Sequence, residues 1–253
     1  MSVIELFWPA FILVVFLVFI HAIFGLEIIK RGVIFTDLAI GQIAAIGMAI
    51  SITYLDGRWQ MPMVLGFAIL AALLISYASK KVVHVEAFIG LLYALGISSL
   101  MLLLAQSSEG TELFKQISAA DILFTSPEDL LESGLIYFSV SLVMFFVYPK
   151  AQGLFKELLF FSMLAIVVSS SVQNSGVLVV FSLLIAPAYL ALVQKRFKPL
   201  AFAWTMGSSS ALLAMMLSYF YDLPTGYTII FVLVFITLLG VWILSPKKEM
   251  LEG

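Results

Sequence analysis

Long apolar segments without charge dominate this sequence and limit what the chain can fold into. The longest, residues 158–194, contains no Asp, Glu, Lys or Arg. Because a helix crosses a bilayer with about 20 mostly apolar residues, this segment is too long for one crossing and barely long enough for two. Hydrophobic residues make up 63% of the chain, whereas a soluble domain has roughly 45–50%. The sequence therefore predicts an integral membrane protein, an all-α bundle of transmembrane helices.

Segments of crossing length recur along the chain, and short polar connections separate them. The predicted crossings are residues 7–26, 33–54, 61–79, 87–105, 133–148, two within 158–194, 200–221 and 225–245. Segment 133–148 is short, so it requires a tilted or locally thinned bilayer. Segment 7–26 follows Glu5 rather than a basic region and lacks a cleavage signal of small residues, which indicates a retained helix and not a signal peptide. All of these segments form one transmembrane domain, residues 1–253.

Residues 169–176, SSSVQNSG, interrupt the longest apolar segment with poor helix formers. We predict a broken or re-entrant helix near 169–190, which gives nine or eight membrane segments. Non-helical backbone at membrane depth persists only where it is buried in protein or lines a cavity. Gln173 and Asn174 would lie at the mouth of such a break and are candidates for an ion path. A tight hairpin between two ordinary helices is the alternative.

Basic residues mark one side of the membrane. They cluster at Lys30 and Arg31, at Lys80 and Lys81, at Lys150 and Lys156, within 195–198, and at Lys247 and Lys248, and each cluster follows a crossing in the same direction. By the positive-inside rule these ends are cytoplasmic, which places the amino terminus outside and favours nine segments. The polar stretch 106–132 then lies outside, and its half-apolar part, 114–124, is predicted to be an interfacial helix.

Composition and motifs exclude several functions. The net charge of −2 provides no basic surface for nucleic acid. Cysteine is absent, which excludes disulfides, thiolate metal sites and cysteine nucleophiles. No G-x-x-x-x-G-K-[ST] motif is present, so ATP hydrolysis would need a separate subunit. An intramembrane aspartyl protease would need two embedded aspartates, and only Asp37 qualifies.

Asp37 is the single acidic residue in the predicted crossing 33–54. A charge at the centre of a spanning helix costs on the order of 3 kcal/mol by insertion scales, so it usually faces a water-filled path or a partner. Alternatively, Asp37 lies near the start of the helix and caps it. Six residues separate it from Arg31, which in an ideal helix corresponds to about 9 Å from the predicted cytoplasmic edge. The sequence leaves both roles open.

Other acids and histidines lie in or beside the predicted crossings. His21, inside the first crossing, is expected to hydrogen-bond a neighbouring helix, with a place on a cation path as the alternative. His84 is expected to be solvated beside a helix start. Glu86 is expected to cap that helix start, where the helix dipole favours an acid. Glu27 is expected to pair with a basic residue three or four positions further along its helix.

Four stretches of the chain carry recognisable motifs. They read RGVIFTDLAIGQIAAIG (31–47), EAFIGLLYALG (86–96), SSSVQNSGVLVVFSLLIAPA (169–188) and LSYFYDLPTGYTIIF (217–231). The Pro-Thr-Gly turn before the last helix and the pattern Gly-Val-Leu…Phe…Leu-Ile-x-Pro are distinctive. In this order, the four stretches resemble the membrane subunits of ABC-type zinc, manganese and iron importers, the metal permease family.

The resemblance implies a permease subunit of an ATP-driven importer of divalent metal cations in the cell membrane. It implies a second permease copy, with the ion path at the subunit interface, an ABC ATPase subunit that binds ATP, and an extracytoplasmic solute-binding protein. It implies neither a catalytic residue nor a cofactor in this chain. The alternative is an ATP-independent cation carrier or channel, which an intramembrane acid also fits.

The resemblance also implies a metal contact in the second predicted crossing, where the family has a His four residues after an Asp. Here the matching position is Gln42, which lies five residues after Asp37. Five residues turn two side chains about 140° apart on an ideal helix, so a π-bulge would be needed to bring them to one face. Their oxygen atoms suit manganese or iron(II) better than zinc. A hydrogen bond between helices is the alternative role of Gln42.

A last implication concerns the loop that contacts the ATPase. In the family this loop is an acidic, alanine-rich segment that ends in a glycine. Here it is reduced to YPKAQGLFKE, residues 148–157, in which Gln152, Gly153 and Leu154 match the end of the coupling segment. Such a short loop implies a smaller ATPase contact, or docking through another loop.

Overall fold

The structure is a computed structural model that describes residues 3–106 and 110–244. In this part of the chain no strand is present, and ten α-helices follow one another. They are α1 (Val3–Arg31), α2 (Thr36–Tyr54), α3 (Gln60–Lys81), α4 (Val85–Leu104), α5 (Gly110–Ser118), α6 (Pro127–Phe146), α7 (Gly153–Ser175), α8 (Val177–Val193), α9 (Pro199–Tyr221) and α10 (Thr225–Leu244). The predicted all-α bundle is confirmed. The predicted basic tail at Lys247 and Lys248 lies outside the described residues.

Helix α8 decides the number of membrane segments. Eight helices are long and apolar enough to cross a membrane, and α8, at 17 residues, is shorter. Its start at Gly176 packs against Ala119, which Gly226 at the start of α10 also contacts. Toward its other end, Leu190 of α8 lies against Gly240, late in α10. The two helices are therefore parallel, and the described chain has nine membrane segments, with α8 crossing rather than turning back.

The predicted break is a single residue, Gly176. Its φ of +85° suits glycine, and a Cβ atom there would lie 2.7 Å from the backbone of Ala119. The preceding serine-rich segment is helical, so the prediction that all of 169–176 interrupts the helix was wrong. The hydroxyl groups donate to carbonyl oxygens one turn earlier, Ser169 to Ala165, Ser171 to Val167 and Ser175 to Ser171. These serines are thus satisfied within their own helix.

Helix α6 begins at Pro127, earlier than the predicted residue 133. A capping box explains this start: the Ser126 hydroxyl accepts from the N–H of Asp129, and the Asp129 carboxylate accepts from the N–H of Ser126. With 20 residues, α6 spans without a thinned bilayer. The predicted interfacial helix consists of α5 and a short 3-10 turn, Ile122–Phe124.

Charge divides the bundle into two ends. The basic end contains the ends of α1 and α3 and the start of α7, where the Glu157 carboxylate pairs with Arg31 and Lys80. The acidic end contains α5, the break at Gly176 and the turn before α10. It carries the carboxylates of Glu112, Asp121, Glu128, Asp129, Glu132 and Asp222. This arrangement agrees with the prediction that the basic clusters share one side of the membrane.

Glycine residues bring pairs of helices into backbone contact. A Cβ atom at Gly25 would overlap the carbonyl oxygen of Leu184, and one at Gly47 would lie 2.6 Å from the carbonyl oxygen of Met63. These contacts join α1 to α8 and α2 to α3. Small residues allow such close crossings in a bilayer, where van der Waals packing contributes much of helix association. They fix α2, and with it Asp37, within the bundle.

We expect Gly25→Ala to destabilise the protein by about 1–3 kcal/mol, because α1 and α8 must separate to admit the methyl group. Gly90→Ala is the matched control, since a Cβ atom there would meet nothing within 4 Å. The control should leave stability unchanged or raise it, because alanine is the better helix former. Thermal unfolding in detergent measures both variants, and equal melting temperatures would contradict the tight α1–α8 contact.

Candidate functional site

Helix α2 carries the predicted metal contact, Asp37, in its first turn. The side chain is 1% exposed, and neither carboxylate oxygen has a hydrogen-bond partner among the described residues. One turn further along the same side of the helix, a Cβ atom at Gly41 would lie 3.1 Å from Val177 and 3.7 Å from Val168. Asp37 therefore lies on the side of α2 that faces α7 and α8, inside the protomer.

The cap role that the sequence left open for Asp37 has no hydrogen bond to support it. Phe35 occupies the N-cap position of α2, and no side chain caps this helix. The helix dipole still favours an anion in the first turn. Burial of an unpaired carboxylate costs several kcal/mol, however, which a dipole contribution of about 1 kcal/mol does not offset. The site thus contains a buried carboxyl group with which no basic side chain of the described residues pairs.

Gln42 lies on another side of the same helix. It is 4% exposed, its Oε1 has no partner among the described residues, and its Cβ lies opposite Gly96 of α4. Helix α2 is α-helical from Thr36 to Tyr54 without a π-bulge, so Asp37 and Gln42 do not share a face. In the described part of the chain, no group of three or more His, Asp or Glu side chains is placed to hold a metal ion. The metal contact at these two residues stays a prediction.

A hydrogen-bonded cluster forms around Arg31 at the basic end. The guanidinium donates to Glu27 at 3.1 Å, to Glu157 at 2.6 Å and to the Tyr148 hydroxyl at 2.5 Å. It also stacks over the ring of Phe160, 4.3 Å from the centroid. The predicted pairing of Glu27 with a nearby basic residue is confirmed. Tyr148 and Glu157 were missed, because they are remote from Arg31 in sequence and carry no local signal.

A cavity of about 660 Å³ opens at the basic end, between the α1–α2 turn, the α3–α4 turn and α7. His84 lines it and is exposed, as predicted. Glu86 also lines it, in the first turn of α4, but its carboxylate accepts from the N–H of Phe35 at 3.3 Å. Glu86 therefore holds the turn before α2, instead of capping its own helix by a hydrogen bond. The cavity opens beside the turn that precedes the Asp37 helix.

A second cavity, of about 550 Å³, opens at the acidic end. Glu112, Asp121 and Asp129 line it together with the two predicted path residues, Gln173 and Asn174. A smaller cavity of about 200 Å³ adjoins it and shares three of these residues, Asp129, Gln173 and Asn174. The structure thus brings the two amides to the wall of an open, acidic space.

Both amides have partners inside the bundle. The Gln173 side chain donates to the carbonyl oxygen of Ser169 at 3.0 Å, and that of Asn174 donates to the Ser133 hydroxyl at 2.8 Å. Below them, the Tyr137 and Ser171 hydroxyls are 3.1 Å apart. A polar seam between α6 and α7 therefore leads inward from the acidic end.

His21 is fully buried in α1, and its Nδ1 lies 2.7 Å from the carbonyl oxygen of Leu17. The predicted hydrogen bond to a neighbouring helix was wrong, because the ring bonds to its own helix one turn earlier. The predicted coupling residues lie at the basic end. Gln152 is the N-cap of α7, Gly153 has a φ of +58°, and Leu154 is 53% exposed.

Comparison with known proteins places the chain among transporters. The sequence profile of the ABC 3 transport family matches residues 3–244. The chain belongs to this family. Two relatives are the manganese transport system membrane proteins MntC of Listeria monocytogenes serovar 1/2a, at 28% identity, and of Listeria innocua serovar 6a, at 27%. Each comparison covers 92% of this chain and 88% of the relative.

Solved structures share the fold. PsaBC from Streptococcus pneumoniae in complex with Fab superimposes with a TM-score of 0.74 at 20% identity, over 99% of this chain and 95% of that chain. A metal-chelate type ABC transporter in an inward-facing conformation gives 0.66 at 16% identity, over 94% and 86%. Family membership and eight helices of crossing length make this ABC 3 member a multi-pass protein of the cell membrane and a transporter permease.

We expect Asp37→Asn to raise the melting temperature of the protein in detergent, because it replaces a buried acid, for which no partner is found among the described residues, by a neutral side chain. Glu86→Gln is the matched comparison, since Glu86 also lies in the first turn of a helix but accepts a hydrogen bond. It should lower stability by about 0.3–1 kcal/mol. If Asp37→Asn instead lowers stability by about 0.3–1 kcal/mol, Asp37 stabilises the start of α2 through the helix dipole.

Proposed function

We propose that this chain is the permease subunit of an ATP-driven importer of divalent metal cations, with manganese as its main substrate. The Asp37 carboxyl group carries the proposal, because it is buried and no partner for it is found among the described residues. The relatives that match most of the chain are named for manganese transport. Carboxylate and amide oxygens suit manganese and iron(II) better than zinc, which prefers imidazole and thiolate.

The two cavities give the cation a direction of travel. Carboxylates of Glu112, Asp121 and Asp129 attract cations to the acidic end, where Gln173 and Asn174 offer neutral oxygen atoms. Asp37 receives the ion in the interior, and Gln42 contacts it after α2 or α4 moves. The ion leaves through the cavity at the basic end, which opens beside the turn before α2.

The partners follow from this direction. An extracytoplasmic solute-binding protein delivers the ion at the acidic end, and a second copy of the chain completes the permease. The path proposed through Asp37 runs inside each protomer and not, as the resemblance implies, at the subunit interface. An ABC ATPase subunit, which binds the ATP, docks at the basic end. Gln152, Gly153 and Leu154 lie there in an exposed, compact connection, and Leu154 offers apolar surface to a partner. No residue of this chain is assigned a catalytic role.

We expect Asp37→Asn to reduce manganese uptake by about tenfold or more, since it removes the negative charge that would contact the cation, and tenfold corresponds to only about 1.4 kcal/mol. Uptake is measured in vesicles that contain the permease with its ATPase subunit and binding protein. Asp222→Asn is the control, because Asp222 lies in an exposed left-handed turn that asparagine also adopts. Normal uptake by Asp37→Asn would remove Asp37 from the ion path.

The same vesicles test the energy source. Uptake that requires ATP, together with an ATPase subunit that co-purifies with the chain, supports the importer. Uptake that proceeds without any ATPase subunit would instead identify a carrier or channel.

We expect Gln42→His to shift selectivity from manganese toward zinc, with the ratio of zinc to manganese uptake rising by about tenfold, because imidazole is a preferred zinc ligand. Competition between the two ions at equal concentration measures this ratio. Gln194→His is the control, since Gln194 is also buried but bonds within the α8–α9 turn. An unchanged ratio in Gln42→His would mean that Gln42 only joins helices.

A further inference from the structure

We infer that Arg31 is a positioning residue that links the α6–α7 connection to the helix carrying Asp37. This inference rests on the proposed function, and it assigns to Arg31, which lines the cavity at the basic end, a positioning role rather than an ion contact. Its basis is the set of contacts that one guanidinium makes to three separate parts of the chain at the basic end.

Arg31 contacts the connection between α6 and α7 on both of its sides. Tyr148 lies before the residues 152–154, and Glu157 lies after them, near the start of α7. Arg31 donates to both side chains, to Tyr148 at 2.5 Å and to Glu157 at 2.6 Å. A displacement of this connection by a docked partner would therefore move or break the contacts of Arg31.

The cluster around Arg31 is held together by strong hydrogen bonds. The side chains of Arg31 and Glu157 are only 18% and 16% exposed, so water screens their pairing less than at an open surface. The Tyr148 hydroxyl also donates to Glu27 at 2.7 Å, which closes a ring of hydrogen bonds with Arg31. Charge-assisted bonds of this kind are roughly twice as strong as neutral ones. The cluster therefore resists being pulled apart, and a displacement of Tyr148 or Glu157 moves Arg31 with it.

Only a short turn separates Arg31 at the end of α1 from Asp37 at the start of α2. Arg31 ends α1, and Gly32 follows with a φ of +68°. The N–H of Val33 donates back to Ile28 at 3.3 Å, and the Thr36 hydroxyl donates to the carbonyl oxygen of Val33 at 2.7 Å. These bonds make the turn compact and tie it to α1.

The start of α2 is also held from the opposite side of the turn. Glu86 of α4 accepts from the N–H of Phe35, two residues before Asp37. A movement of Arg31 thus reaches α2 through a hydrogen-bonded turn that has little freedom to absorb it. The same turn lines the cavity at the basic end, so the movement would also change the opening through which the ion leaves.

Arginine is required in this role because of the geometry of its partners. Glu27, Tyr148 and Glu157 approach three different nitrogen atoms of the guanidinium. A lysine offers one ammonium group on a flexible stem, which cannot hold this fixed fork of donors. Arg31→Lys retains the charge and loses the connection, so it separates positioning from electrostatics.

The test uses the permease assembled with its ATPase subunit and binding protein. We expect Arg31→Gln to lower the number of manganese ions imported per ATP hydrolysed by about tenfold, a typical coupling effect, while the complex still assembles. Arg31→Lys should lower this ratio by a similar factor, because it loses the fork of donors, and Tyr148→Phe by a smaller one. Arg196→Gln is the matched control, an exposed arginine at the same end that stacks on Phe197 outside the cluster.

A purely structural role would give a different result, because transport and ATP hydrolysis would then fall together and their ratio would stay constant. If Arg31→Gln does not fold, Tyr148→Phe decides, since it removes one hydroxyl from the ring of bonds. An unchanged ratio of ions to ATP in the folded variants overturns the inference.

A second measurement separates this inference from the proposed function. The chain has no cysteine, so Phe35→Cys introduces a single thiol at a side chain that is 44% exposed in the turn before α2. We expect its labelling rate to change when the ATPase subunit binds nucleotide, and this change to disappear in Arg31→Gln. No response in the otherwise normal Arg31 background, with no ATP-driven uptake, would contradict the proposed function. A response that persists in Arg31→Gln would contradict only the role of Arg31.

Discussion

In a bilayer, a polar group must find its partner within the protein, and the rest of this structure depends on that constraint. Serines 169, 171 and 175 bond to their own helix, and Gln194 closes the α8–α9 turn by bonding to the backbone of Phe197. Against this background Asp37 is an acid inside the bundle whose carboxyl oxygens have no hydrogen-bond partner among the described residues. Buried polar groups without partners are expected mainly at functional sites, and Asp37 is therefore the leading candidate for an ion contact.

The closed state of the interior follows from the same constraint. Open cavities lie at both ends, acidic at one and mixed in charge at the other, while Asp37 between them is 1% exposed. In the proposed function the acidic cavity collects cations, and the compact turn after Arg31 lies between α1 and the Asp37 helix. Passage of an ion requires a change at one end at a time, and the hydrogen-bonded cluster at the basic end is placed to connect that change with a partner.

Local sequence predicted most of the fold, because length and apolar composition determine a crossing without knowledge of its neighbours. It failed where context reverses a propensity, as in the serine-rich end of α7, where no water competes with the helix. It placed the start of α6 too late because the capping box at Ser126 was assigned to a loop. Asp37 was identifiable, since a charge in an apolar run is a local signal. The partners of Arg31 were not, because Tyr148 and Glu157 meet it only after folding.

The glycine contacts restrict how such a bundle can open. Where the backbone of α1 meets α8 at Gly25, and that of α2 meets α3 at Gly47, the helices lie too close to admit a side chain larger than hydrogen. Each pair therefore moves most readily as a unit, and relative motion is left to the surfaces between the pairs. The compact turn after Arg31 joins one pair to the other, so it passes a displacement of α1 on to α2.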